Sequence, residues 1–136
     1  MKQVLSLLLV VLLVGFVVGH PVVTLDGYLP IIVDTNGSTL ADYQCRGQVV
    51  VNTGASISQT HNLPPVAAGM HVTFALSTNK AVIVNPQTDD RILALTSSSG
   101  DAISSDTTIG ATVELIGIDS TNWLPISVVG SWTDAN

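Results

Sequence analysis

Short runs of β-branched and aliphatic residues recur about every ten positions along this chain, and turn-forming residues bound each run. The runs occupy residues 22–25, 31–33, 48–52, 70–76, 81–84, 91–96, 111–118 and 124–129. The spacing of apolar positions that marks an amphipathic helix is absent after residue 20. The pattern predicts an all-β fold, a single antiparallel β-sandwich or barrel-like roll of about eight short strands.

Apolar and polar positions alternate within the run at 70–76, as they do in a half-buried strand. Met70, Val72, Phe74 and Leu76 fall on one face of this predicted strand, and His71 falls on the other. The chain has 136 residues and shows no linker, which favours one compact domain after the N-terminal segment.

The N-terminus has the features of an export signal. Lys2 precedes an apolar run over residues 4–18, and Val17 and Gly19 satisfy the small-residue rule before a cleavage point. The run is shorter than the ~20 residues that span a bilayer. We therefore expect an N-terminal hydrophobic helix that acts as a cleaved signal peptide, with a membrane anchor formed by residues 4–18 as the alternative.

This leader divides the chain into three parts. Residues 1–19 form the signal peptide or anchor, residues 20–42 an N-terminal β segment, and residues 43–136 a β-rich module. The expected location is secreted, on an extracellular surface or in a virion. A membrane location is the alternative if the leader is retained.

The charge balance excludes one class of partner. Lys and Arg together number 4, whereas Asp and Glu number 10, which gives a net charge of −6. Nucleic-acid binding depends on cationic side chains that neutralise phosphates, so we expect no nucleic-acid partner. Attraction to an anionic membrane surface is disfavoured for the same reason.

His20 is the one residue that motivates a metal hypothesis. Cleavage after Gly19 would make His20 the new N-terminal residue, whose amine and ring nitrogen can chelate copper. His71 would supply a further nitrogen, and His61 is an alternative donor. A copper-binding oxidoreductase is therefore one alternative function, although the simpler interpretation of His20 is a histidine at a trimmed chain end. We expect no cofactor.

Other chemistry-bearing residues have structural interpretations. Asp89, Asp90, Asp101 and Asp106 lie in predicted loops but do not follow a spaced calcium-loop pattern, so we interpret them as turn residues. Cys45 is the only cysteine, and we expect a buried, unreactive thiol. The serine-nucleophile pattern Gly-x-Ser-x-Gly does not occur. We therefore expect that the protein is not an enzyme.

Two tryptophans are the candidate ligand-binding residues. Trp123 and Trp132 could stack on sugar rings, although packing in a core or a subunit interface is the simpler interpretation. Asn36 begins a glycosylation sequon that coincides with an Asn-Gly turn. A secreted module that binds a glycan or another surface ligand is the first alternative function.

Several short segments occur in an order that matches a known kind of protein. They are Cys-Arg-Gly at 45–47, Asn-Thr-Gly-Ala at 52–55, Leu-Pro at 63–64, Ala-Ala-Gly at 67–69, Thr-Phe at 73–74, Val-Asn-Pro at 84–86, Asp-Asp-Arg-Ile at 89–92, Ser-Gly-Asp-Ala-Ile at 99–103, Asn-Trp at 122–123 and Gly-Ser-Trp at 130–132. On these segments, residues 43–134 resemble a small β-rich module of bacteriophage virion and tail-associated proteins. The resemblance implies assembly, as a homotrimer or within a larger particle, and brings no catalytic residues. The predicted export leader of this chain is not a feature of the proteins it resembles.

Composition also points to assembly. Only 10% of the residues are charged, against about 25% in most soluble domains. The segments 81–84 and 126–129 are apolar on both faces, as expected of strands covered on both sides. We therefore expect an exported structural or surface-assembly protein of a virion, filament or cell surface, without catalytic activity and homo-oligomeric, with a trimer favoured.

Overall fold

The computed structural model describes residues 31–136, which form an all-β structure. The predicted leader over residues 1–19 and the predicted strand at 22–25 lie outside the described residues. Within 31–136 there are ten strands and one short 3₁₀ helix, Asp42–Cys45. The strands are β1 Ile31–Val33, β2 Arg46–Val51, β3 Gln59–Asn62, β4 His71–Ala75, β5 Val82–Asn85, β6 Arg91–Ile92, β7 Ile103–Ser105, β8 Thr112–Gly117, β9 Asn122–Val129 and β10 Trp132–Asp134.

The strands form two sheets. The six-stranded sheet has the order β1-β2-β4-β8-β9-β6, and the four-stranded sheet has the order β10-β7-β5-β3. Both sheets are mixed, because β1 with β2, β2 with β4, β3 with β5 and β6 with β9 pair in parallel. The expectation of a purely antiparallel fold of about eight strands is therefore corrected to two mixed sheets.

The parallel pairs arise from the way the chain winds. After β2 in the six-stranded sheet, the chain crosses to β3 in the four-stranded sheet and returns to β4 beside β2. It then crosses again to β5 beside β3. Each turn of this winding adds one strand to each sheet, and successive strands within a sheet run in the same direction. Residues 31–85 therefore form a stacked roll. The hairpin of β8 and β9 then continues the six-stranded sheet in antiparallel fashion.

One apolar core lies between the two sheets. The six-stranded sheet contributes Phe74 and Leu115, and the four-stranded sheet contributes Val84 and Ile103, all fully buried. The ring of His61 on β3 contacts the ring of Phe74 on β4, with centroids 5.5 Å apart. The two sheets therefore pack face to face.

The alternation predicted at 70–76 is confirmed. Val72, Phe74 and Leu76 are buried, whereas His71 is partly exposed on the opposite side of the strand. The strand predicted at 91–96 is much shorter, since β6 ends at Ile92. Thr96 donates its backbone N–H to the Ile92 carbonyl at 3.1 Å, which turns the chain back on itself. Within residues 31–136, no helix is long and apolar enough to cross a membrane.

Candidate interaction surface

Both tryptophans are core residues. Trp123 is on β9 opposite Gly117 of β8, and its side chain is 0% exposed. Trp132 is on β10 opposite Ser105 of β7 and is 5% exposed. Neither indole presents a face on which a sugar ring could stack, so the positions of both agree with packing in the core. Their burial stabilises the contact between the sheets.

His71 lies on the outward side of β4 and bonds to an acid on the neighbouring strand. Its Nε2 is 2.6 Å from Oε1 of Glu114 on β8. His71 and Glu114 are diagonal neighbours, because Glu114 is directly opposite Thr73. The other predicted metal residue, His20, lies outside the described residues. Within residues 31–136 no group of three or more His, Cys, Asp or Glu side chains is arranged to hold a metal ion.

His61 is on the inward side of β3 and is fully buried. Its Nδ1 is 3.8 Å from Oδ2 of Asp34, the residue after β1. Burial lowers the pKa of His61, and the Asp34 charge only partly opposes this. Burial pushes the pKa of Asp34 upward, but hydrogen bonds, above all from the Ser38 hydroxyl, outweigh it and hold the pKa below its usual value.

The loop aspartates bond to the chain around them. Asp90 is buried and its Oδ2 accepts the backbone N–H of Val66 at 2.9 Å. Asp101 accepts the backbone N–H of Ser98 at 2.7 Å, and Asp106 that of Thr108 at 3.1 Å. Such bonds hold loops and turns in place. Asp90 therefore holds a loop, as predicted for a turn residue, although its side chain is buried.

Cys45 ends the 3₁₀ helix and is fully buried, which confirms that prediction. Burial raises the pKa of the Cys45 thiol to about 12, and the carboxylate of Asp42 adds to the effect. A thiol with this pKa carries almost no thiolate at neutral pH, so it is a poor nucleophile.

The most distinctive surface is the side of the six-stranded sheet that faces away from the core, here called the outer face. Its first two strands carry only aliphatic residues over their paired segment. In register, Ile31 lies beside Val49 and Val33 beside Val51, while the inward residues Ile32 and Val50 pack towards the core. Ile31 and Val33 are exposed.

The outer face continues across β4 and β8 with small and aliphatic side chains. Thr73 and Ala75 on β4 follow Val49 and Val51 in register, and Thr112 and Ile116 flank Glu114 on β8. All four are half-buried, as expected for side chains standing on a sheet surface.

β9 completes the outer face. Leu124 is opposite Ile116, Ser127 opposite Glu114, and Val129 opposite Thr112. Leu124 and Val129 are exposed, and so are Ile126 and Val128 on the same strand. β6 pairs with β9 only at Asn122 and Trp123. Within residues 31–136 the remainder of β9 therefore has β8 as its sole strand neighbour.

The outer face is almost free of charge. The charged residues that face outward on its six strands are Arg46, Arg91 and Glu114 when histidine is neutral. The face therefore carries few charges, whereas the whole chain carries a net charge of −6. The sequence contained the apolar runs that build this face, but the face itself depends on which strands become neighbours.

Two sequence comparisons with known proteins add no relative. Neither a scan against protein-family models nor a search of curated proteins finds a match to this chain. The resemblance to a bacteriophage module therefore stands on the short segments quoted above.

Proposed function

We propose that this chain is an exported structural or surface-assembly protein without catalytic activity, a component of a virion, a filament or a cell surface. The observation that carries the proposal is the outer face of the six-stranded sheet, where Ile31, Val33, Leu124 and Val129 are all exposed. Apolar patches of this kind mark interaction sites on soluble proteins. A protein that assembles with further copies would cover such a surface.

Export is tested by the N-terminal sequence and location of the protein made from the full chain in a secreting host. We expect a mature protein that begins at His20 and is found outside the cytoplasm. A soluble cytoplasmic protein that begins at Met1 would contradict export. Retention of Met1 in a membrane fraction would favour the anchor formed by residues 4–18.

Assembly is tested by light scattering on the exported protein at micromolar concentration. We expect a mass that is a multiple of the protomer mass, and the bacteriophage resemblance favours three copies. A monomer under these conditions would remove the assembly proposal.

The copper alternative has a separate test. Copper is titrated into the mature protein and into its His20→Ala variant, with binding followed by the visible absorption of the metal. Tight binding that is lost in His20→Ala would replace the structural proposal with the oxidoreductase. We expect weak binding that is equal in the two proteins.

A further inference from the structure

The turn that follows β1 contains a chemically reactive pair of residues, Asn36 and Gly37. Asn36 is exposed, and it is the only asparagine of the chain that a glycine follows. A glycine leaves its own backbone nitrogen open to approach the preceding side chain, because it has no Cβ. Asparagine is a thermolabile residue, and this pair is the place in the chain where its amide is easiest to lose.

The reaction needs these two residues and solvent water. The Gly37 nitrogen loses its proton and attacks Cγ of Asn36. The new N–Cγ bond closes a five-membered imide, and the side-chain amide leaves as ammonia, which carries the proton away. Water then opens the imide at one of its two carbonyls. One opening gives aspartate, and the other gives isoaspartate, in which the main chain runs through Cβ and Cγ and is one atom longer.

In the folded protein the Gly37 nitrogen is already engaged. Its N–H donates to Oδ1 of Asp34 at 2.9 Å, as does the N–H of Asn36 at 2.9 Å. Removal of the Gly37 proton would place a second negative charge beside this carboxylate, which is unfavourable. Hydrogen bonds hold the pKa of Asp34 below its usual value, so the carboxylate is too weak a base to take the proton itself. The turn therefore protects Asn36.

Gly37 also lies tightly against the backbone of β3. Its φ is +82°, and a Cβ at this position would overlap the Thr60 carbonyl oxygen and lie 2.8 Å from the Thr60 nitrogen. The main chain at Gly37 thus has no space in which to shift towards β3. A main chain lengthened by one atom ahead of Gly37 cannot keep both this contact and the two bonds to Asp34.

We propose that Asn36 is a site of spontaneous deamidation, that the reaction proceeds when the turn over residues 34–37 opens, and that the isoaspartate product cannot re-form the native turn. β1 has three residues at the end of the six-stranded sheet, and Ile31 and Val33 are exposed. Such a short edge element opens at a lower free energy than the core strands. The modification involves no contact with another copy, so it is independent of the proposed assembly.

The first test measures deamidation of the exported protein at mildly alkaline pH, in native buffer and in urea, by mass spectrometry. The tryptic peptide that ends at Arg46 contains Asn36 as its sole asparagine, and the peptide 47–80 has three asparagines but no Asn-Gly. In urea Asn36 should react at least about tenfold faster than the asparagines of 47–80. In native buffer Asn36 should react at least about tenfold more slowly than in urea.

Substitution of Asp34 tests whether the turn provides the protection. Asp34→Ser keeps a neutral acceptor, whereas Asp34→Ala removes the acceptor, so the native rate should rise in that order and by about tenfold or more in Asp34→Ala. Asp119→Ala is the matched control. Asp119 holds the turn between β8 and β9 by the same pair of bonds, from the N–H groups of Thr121 at 2.7 Å and Asn122 at 2.8 Å. The control should leave the rate at Asn36 within about twofold of the parent.

Equal rates in native buffer and in urea, or no reaction at Asn36 in urea, would overturn the inference. Equal acceleration in Asp34→Ala and Asp119→Ala would also overturn it, because overall stability would then set the rate. Circular dichroism checks that each variant is folded, and Asp34→Ser decides if Asp34→Ala is not. Attachment of a glycan to Asn36 during export would overturn the inference too, since the amide would serve another modification.

The second test examines the product. Chains aged in urea are returned to native buffer, and those that carry isoaspartate are identified with an isoaspartate-specific methyltransferase. Asn36→Asp is the matched control, because it has the charge of the product with a main chain of normal length. Limited proteolysis should cut the isoaspartate chains within residues 31–40 at least about tenfold faster than Asn36→Asp, since the turn stays open. Equal resistance of the two would overturn the inference.

Discussion

Asp34 and His61 lie beside each other where the two sheets meet at one edge of the core. Oδ2 of Asp34, which follows β1 in the six-stranded sheet, is 3.8 Å from Nδ1 of His61 on β3 of the four-stranded sheet. The Oδ1 atom of the same carboxylate accepts the backbone N–H groups of Asn36 and Gly37, each at 2.9 Å. Asp34 thus holds the turn after β1 and faces a buried imidazole at the same time.

This pair predicts a loss of stability in mild acid. The pKa of His61 is lowered in the folded protein, so the unfolded chain takes up a proton first as the pH falls below about 6.5. The free energy of unfolding should therefore decrease as the pH is lowered from 7.5 to 5, measured by urea denaturation at each pH. His61→Phe should flatten this part of the profile, because the titrating group is gone.

Thr60→Val is the matched control for that experiment. Thr60 precedes His61 on β3, is exposed and carries no titrating group, so its replacement should leave the pH profile of unfolding close to that of the parent protein. A profile that flattens in Thr60→Val, or that persists in His61→Phe, would contradict the prediction.

Asn52 should be the most sensitive polar residue of the described chain. It is 1% exposed, and its side chain accepts the N–H groups of Ser77 and Thr78 and donates to the Lys80 carbonyl. Asn52→Ala leaves these partly buried backbone groups without their partner and should cost about 1–3 kcal/mol in the free energy of unfolding. The neighbouring exposed Thr53→Ala should cost less than about 1 kcal/mol, since its hydroxyl bonds only to that of Ser77.

Substitution of Trp123 distinguishes its interpretation as a core residue from its interpretation as a ligand-binding residue. If it serves the core, Trp123→Ala should lower the free energy of unfolding by about 3–5 kcal/mol, with a smaller loss in Trp123→Phe. If it served a sugar site, the same change would leave stability intact and abolish retention on a glycan array. Urea denaturation and the array, applied to both variants, distinguish the two outcomes.

Cys45 should resist alkylation in the native protein. Its pKa of about 12 and its burial leave little accessible thiolate at pH 8. Iodoacetamide should modify it only after denaturation, with mass spectrometry as the readout. Rapid modification of the native protein would show that the 3₁₀ helix opens readily.

Strands with strong alternation could be predicted from the sequence, and those with polar inward residues could not. The run at 70–76 became β4, and 111–118 contains β8, because apolar residues occupy every second position. In contrast, β3 has Gln59 and His61 on its buried side, so its sequence is polar on both faces. Gln59 is tolerated there since its Nε2 donates to the Asp34 carbonyl at 2.7 Å.

Strand pairing was the part of the fold that alternation could not specify. Period-two patterning determines which side of a strand is buried but not whether its neighbour is parallel. The outer face could not be predicted from the sequence for the same reason. Ile31, Val49 and Thr73 become adjacent only through the register of three strands that are distant in the chain. Leu124 and Val129 belong to an apolar run that was visible in the sequence, but their position at the far side of the same face was not.

The winding of the chain between the two sheets has a kinetic consequence. From β2 to β8 every strand joins the opposite sheet from the strand before it, so no contiguous half of residues 31–136 contains a complete layer. Residues 31–85 nevertheless place β1, β2 and β4 side by side in one sheet and β3 and β5 side by side in the other, so the first five strands already have both a neighbour and a facing layer. The pairings join strands that are distant in the chain, so folding should be in the slow range of milliseconds to seconds typical of non-local β topologies. A chain cut short before β8 would leave β4 at an unpaired sheet edge, to which a strand of another chain can add, and should therefore aggregate more readily than the whole protein.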